Sequence, residues 1–217
     1  MDKFKQYKKT FILTLVVTLL PILIGILLWD KLPDQMATHF GANGEVDGWS
    51  SKLFAVVGLP MFIAAMQFVA VFATLSDPKK QKIDPKMMKL VFWICPVVSW
   101  FGAIMTYGYT LGWNVSVERL TSVLLGGVFI IVGNYLPKCR QNYTVGIKLP
   151  WTLYDEENWN RTHRLGGKAW MLGGVLVLAL GVVGLGNTWL ILAVILLVSF
   201  VPVIYSFMYY VKHKEDR

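Results

Sequence analysis

The sequence predicts an all-α, polytopic membrane protein with six transmembrane helices, and three observations predict it. Of the 217 residues, 55% are apolar and only 16% charged, with a mean hydropathy of +0.53, whereas soluble domains carry nearer a quarter charged residues. The apolar residues gather into six blocks, at 10–29, 53–75, 90–111, 120–136, 169–186 and 188–211. Each is 17 to 24 residues long and free of Asp, Glu, Lys, Arg and His. A helix rising about 1.5 Å per residue needs about 20 residues to cross a hydrocarbon core of roughly 30 Å. None of the blocks alternates apolar with polar residues, and backbone amides in hydrocarbon need internal partners, so helices are expected rather than a barrel. The 19 aperiodic glycines and 2 cysteines leave no collagen-like or disulfide-scaffold reading.

The charges orient the spans. Lys3, Lys5, Lys8 and Lys9 precede the first block, and Lys79, Lys80, Lys82, Lys86 and Lys89 lie between the second and third. Lys138, Arg140, Lys148, Arg161, Arg164 and Lys168 lie between the fourth and fifth, and Lys212, Lys214 and Arg217 follow the last. Only Lys31, Lys52 and Arg119 of the 21 basic residues fall on the other side. The positive-inside rule therefore puts both termini in the cytoplasm. Attraction to anionic membrane lipids accounts for the excess charge, so no direct nucleic-acid partner is expected.

The first block is too long for a signal-peptide core, and Trp29-Asp30-Lys31 follows it instead of a small-x-small cleavage site, so it is expected to stay as a span. The outer loop 30–52 then runs through turn formers: Leu32-Pro33-Asp34, Gly41-Ala42-Asn43-Gly44 and Asp47-Gly48. Its apolar Leu32, Met36, Phe40, Val46 and Trp49 suit either a tether to the bilayer surface or a small cap on the bundle. His39, Glu45 and Asp47 match no established metal-ligand spacing, so no metal is assigned there. The second and third spans contain Pro60 and Pro96, as the first and sixth contain Pro21 and Pro202, each expected to kink its helix. Gly108 and Gly112, and Ala169 and Gly173, have the small-xxx-small spacing of close helix contacts. Cys95 in the third span and Cys139 beyond the fourth fit neither a disulfide nor a zinc spacing. Proton- or ion-coupled carriers place ionisable groups at mid-membrane. Here the polar candidates singled out in the spans are Gln67, Ser99, Thr106, Asn134 and scattered threonines, among which Asn134 stands out as interhelical glue.

The loop 137–168 is the most patterned segment. Thr152 and Asp155 fit a capping pattern, and Glu156 and Glu157 sit where a helix N-terminus favours acids. Glu157 with Arg161, and Trp159 with His163, have i, i+4 spacing. This predicts a short interfacial helix anchored by Trp151 and Trp159 and broken at Gly166-Gly167. His163 stands two helical turns from Asp155 and no nucleophile motif accompanies it, so no catalytic residue and no cofactor is assigned. Gly186-Asn187 leaves almost no loop, which makes the last two spans an antiparallel hairpin, and the glycines at 173, 174, 181, 184 and 186 suit a tightly packed helix.

The run Asn142-x-x-x-Gly146-Ile147-Lys148-Leu149-Pro150-Trp151-Thr152, followed by Trp159-x-x-Thr162-His163-Arg164-x-Gly166-Gly167, resembles the signature of the SdpI family, bacterial membrane proteins named for immunity to the sporulation-delaying killing-factor toxin. Leu149 stands where a threonine often precedes the proline-tryptophan pair. Separately, Leu32-Pro33-Asp34 through His39-Phe40, Gly44 and Trp49-Ser50-Ser51-Lys52 resembles the small amino-terminal membrane domain often fused to that family. The division expected is a two-span module over 1–89 and a four-span module over 90–217. The resemblance implies protection from a secreted hydrophobic peptide toxin without catalysis, and a second role in holding a transcriptional repressor at the membrane. His39, Phe40, Glu45, Asp47 and Trp49 are then the expected toxin-facing residues. The loop with Lys148, Arg161 and Arg164 is the expected repressor-facing surface. A small-molecule permease is the first alternative and a membrane enzyme the second.

Overall fold

The computed structural model describes residues 3–114 and 116–213; Lys214 and Arg217, counted above with the carboxy-terminal tail, lie outside the described residues. Six helices are long and apolar enough to cross a membrane: Lys3–Leu27, Phe54–Ser76, Pro85–Thr110, Val117–Lys138, Glu156–Val183 and Thr188–Lys212. Each contains or overlaps one of the six apolar blocks. We name the helices α1 (Lys3–Leu27), α2 (Leu59–Ser76), α3 (Pro85–Thr110), α4 (Val117–Tyr135), α5 (Pro150–Tyr154), α6 (Glu156–Val183) and α7 (Thr188–Lys212). One hairpin joins them, of strands β1 (Gln35–Phe40) and β2 (Val46–Ser51). The chain forms two compact units, Met1–Ser76 with Met88–Val117 and Asp77–Met87 with Glu118–Arg217. Packing thus groups α3 with α1 and α2, across the division at residue 89 drawn from chain order.

In the first unit a polar centre ties the helices together. Gln67 on α2 accepts from Thr18 Oγ1 at 2.6 Å and donates to Thr14 Oγ1 at 2.9 Å, and all three side chains are fully buried. Ser99 on α3 donates to the Thr18 carbonyl at 2.7 Å. Pro21 has no N–H for the carbonyl of Val17, four residues earlier. The indole of Trp100 supplies the missing donor at 3.0 Å, so α1 continues through its proline. Tyr107 donates to the Pro21 carbonyl at 3.0 Å. It comes that close because residue 25 is glycine, where a Cβ would sit 2.5 Å from the tyrosine oxygen. A π-helical turn, Phe54–Gly58, leads into α2 just ahead of Pro60.

In the second unit α6 is the hub. On α4, Gly126 and Gly133 are seven residues apart, as are Gly167 and Gly174 on α6. A Cβ at Gly126 would lie 2.8 Å from the Gly174 carbonyl, and one at Gly133 would lie 2.9 Å from the Gly167 carbonyl. The two backbones therefore touch along a seam of small residues. Gly173, on another face, would meet Val198 of α7. The small-residue expectation holds for Gly173, whereas Gly112 lies beyond the end of α3, with nothing within 4 Å of a Cβ.

Two expectations are corrected. The helix over the patterned loop does not break at Gly166-Gly167: α6 runs unbroken from Glu156 to Val183. Both glycines are buried, Gly166 against Ile147 and Pro202 and Gly167 against Pro137, so neighbours occupy the space their absent side chains leave. The N-cap is Asp155 rather than Thr152. Asp155 Oδ1 accepts from the backbone of Glu157 at 2.9 Å and of Asn158 at 3.1 Å.

Candidate functional site

Two groups of residues singled out in the sequence are each brought together, one in each unit.

The outer-loop group folds as the hairpin. The strands are antiparallel, with Gln35 opposite Ser51 and Phe40 opposite Val46. The turn closes through Gly44 N–H to the Gly41 carbonyl (3.0 Å) and Gly41 N–H to the Glu45 carbonyl (2.8 Å). Gly44 has a φ of 75°, a left-handed conformation that suits glycine and follows a type I turn in many hairpins. Leu32 and Met36 are buried with Ala55, Val56 and Tyr107, which fixes the hairpin onto the ends of α1, α2 and α3. The hairpin thus caps the ends of these helices.

His39 bonds to Asp47 across the strands, and Glu45 accepts from the Asn43 amide at 2.6 Å, both at exposed positions. Phe40 and Trp49 both meet Tyr109 of α3 edge-on, with ring centroids at 5.7 and 6.2 Å. Trp49 is 55% exposed. The hairpin therefore presents an aromatic rim beside a short polar ladder. Beneath it a groove of about 260 Å³ opens between α2 and α3, with Phe40, Pro60, Gly102 and Thr106 in its walls.

The signature loop forms a closed hydrogen-bond network. Asn142 is fully buried; its oxygen accepts from the backbone of Thr144 and Val145 at 2.9 and 2.7 Å, and its amide donates to the carbonyls of Arg140 and Val145. Gly146, at a φ of 119°, passes where a Cβ would lie 2.5 Å from His163 Nε2. His163 stacks on Trp159 with centroids 4.0 Å apart, and Trp159 donates to the Cys139 carbonyl at 2.7 Å. Thr152 accepts from Leu149 N–H at 2.9 Å and donates back to the loop carbonyls. Pro150 opens the short helix α5, where its missing N–H costs nothing. Trp151 donates to Ser206 of α7 at 2.8 Å, and Ser206 and Thr162 both donate to the Asn158 oxygen. The signature residues fold the loop onto α6 and α7.

Trp159 is fully buried, so it cannot be a membrane anchor as expected; Trp151 lies half-buried against α7. His163 bonds Ile147 and Trp159 rather than Asp155. Arg161 pairs with Glu157 at 2.6 Å, as its spacing predicts, and lies over the Tyr209 ring at 5.3 Å. Its guanidinium is thereby held in place. Lys148, Tyr154 and Arg164 are exposed, Tyr154 to 89%. Asn134 is exposed on α4 beside Gly133, which faces α6; the buried polar centre belongs to Gln67 instead.

Besides Asn158 and Ser206, sequence reasoning missed Asp77 and Gln141, which hold the loop. Asp77 is buried and accepts from Lys79 N–H, Tyr143 N–H and the Thr144 hydroxyl. Gln141 donates to the carbonyls of Thr152 and Leu153 and accepts from Lys79 Nζ at 2.9 Å. The turn-forming Asp77-Pro78 step was the available signal. Cys139 is also buried, and burial pushes its thiol up to about 11.

Residues 138–206 match the family model of the SdpI/YfhL protein family, and residues 16–64 match a domain of unknown function, DUF1648. The chain is 23% identical over 214 residues to the immunity protein SdpI of Bacillus subtilis (strain 168), covering 96% of this chain and all of that one. No solved structure matches it. The SdpI/YfhL match contains the network built on Asn142, Thr152, Trp159 and His163, and the DUF1648 match contains the hairpin. The chain is thus a multi-pass protein of the bacterial plasma membrane that carries the SdpI/YfhL family region, with a DUF1648 region ahead of it.

Proposed function

We propose that this chain is a membrane immunity protein that protects its cell from a secreted hydrophobic peptide toxin, with no catalytic step. The similarity to an immunity protein along 96% of the chain is the observation that carries the reading. The charge distribution supports a cytoplasmic position for both termini and an outward hairpin. A secreted peptide then meets the rim of Phe40 and Trp49 first, with His39, Glu45 and Asp47 beside it. Aromatic side chains suit such a role, offering large contact area with few torsions to order. The exposed Lys148, Tyr154 and Arg164 are the surface we assign to a cytosolic transcriptional repressor.

The test is survival. The chain is expressed in a toxin-sensitive host challenged with a panel of secreted hydrophobic peptide toxins that includes the sporulation-delaying killing factor. Protection by the wild-type chain supports the reading, and killing equal to the empty vector at normal membrane abundance rejects it. A pull-down from membranes tests the repressor surface separately: Lys148→Gln with Arg164→Gln is expected to keep protection and lose recruitment.

A further inference from the structure

Where α6 begins and α7 ends, a cleft of about 510 Å³ is lined by Arg161, Tyr205, Met208, Tyr209, Lys212 and His213. Its arginine is set in place by its neighbours. Arg161 is held by Glu157 at 2.6 Å and by the Tyr209 ring at 5.3 Å. His213 stacks on Tyr209 at 4.2 Å and bonds that residue's carbonyl through Nδ1 at 2.9 Å. Glu157 offsets one positive charge, so Arg161 and Lys212 leave the cleft with a net cationic character. Along α7 from the cleft towards the middle of the span, Met208, Ile204, Val201 and Leu197 are exposed at i, i+3 and i+4 spacing, as expected of a face in contact with acyl chains. A cationic, donor-rich cleft thus adjoins an apolar helix face at the end of a membrane span.

We infer that this cleft is a specific site for one anionic phospholipid, with the phosphodiester between Arg161 and Lys212 and the acyl chains along the lower α7 face. Charge complementarity selects the occupant. An anionic headgroup gains from both cations, whereas a zwitterionic headgroup brings its own positive charge into the same space. The hydroxyls of Tyr205 and Tyr209 add donors that a diffuse basic surface would not align.

Native mass spectrometry of the purified full chain tests the inference, with dioleoylphosphatidylglycerol and dioleoylphosphatidylcholine as competing probes. The wild type is expected to retain phosphatidylglycerol in preference. Arg161→Gln with Lys212→Gln should weaken that retention about tenfold, while Lys148→Gln with Arg164→Gln, which removes equal charge outside the cleft, should not. Millimolar inorganic phosphate should fail to displace the lipid, because the acyl contacts remain; displacement would mark an anion site that does not need the lipid. If the double variant misfolds by gel filtration, Lys212→Gln alone at the exposed helix end replaces it, with a smaller loss expected. Equal retention of both lipids, or equal loss in the two double variants, would overturn the assignment and leave only general surface charge.

Discussion

His163 Nε2 accepts the backbone N–H of Ile147 at 2.9 Å while its Nδ1 lies 2.8 Å from the Trp159 carbonyl. An amide N–H only donates and a carbonyl only accepts, so the two bonds together require the neutral imidazole with its proton on Nδ1. Both ring nitrogens are engaged in holding the signature loop against α6. His163→Ala is therefore expected to lower stability by about 1 to 3 kcal/mol, the cost of leaving a buried N–H unpaired. Asp155→Asn, which keeps a capping oxygen, should stay near wild type. Thermal unfolding in detergent reads both. Normal stability with lost protection in both variants would point to a chemical role instead.

The same logic applies in the first unit. Trp100→Phe keeps the ring but leaves the Val17 carbonyl, already deprived of its helical donor by Pro21, without the indole N–H. A loss of about 1 kcal/mol is expected, in the range measured for single interhelical bonds in membranes. An unchanged unfolding midpoint would show that the carbonyl finds another donor.

Glycines that look alike in sequence should behave differently. Gly126→Ala places a Cβ 2.7 to 2.8 Å from α6 backbone atoms and should force α4 and α6 apart, with a clear fall in folded yield. Its neighbour Gly127 has nothing within 4 Å of a Cβ, so Gly127→Ala should be neutral or stabilise by up to about 1 kcal/mol. Fluorescence-detected size exclusion distinguishes them.

The six spans were legible because hydrocarbon imposes length and apolarity on every residue facing it. The hairpin was not. Bulges on either side of His39 break the period-two pattern of β1, so Gln35–Phe40 reads as loop although β2 alternates cleanly. The continuation of α6 through Gly166-Gly167 was hidden because local propensity argues for a break. The helix persists there because Ile147, Pro202 and Pro137 pack into the space, a long-range fact. The signature residues were legible as a pattern, but the bonds they make were not. Asn142, Thr152 and His163 look like polar groups awaiting a ligand until their backbone partners are known.

Topology is open to labelling, although Cys139 is not the residue to use. Buried, with its thiol raised to about 11, it should resist alkylation near pH 7.5 and react once denatured. Ala42→Cys, at the hairpin tip, should react with an impermeant thiol reagent on intact cells, and Tyr154→Cys only after lysis. The reverse pattern would invert the orientation.

The protection assay bears most directly on the account. A sensitive host expressing the wild-type chain should survive toxin challenge, and Phe40→Ala with Trp49→Ala should lose that survival at unchanged membrane abundance. Survival of the double variant would remove the hairpin rim from recognition. Killing of the wild-type strain at the vector rate, with the protein present in the membrane, would contradict the immunity function itself.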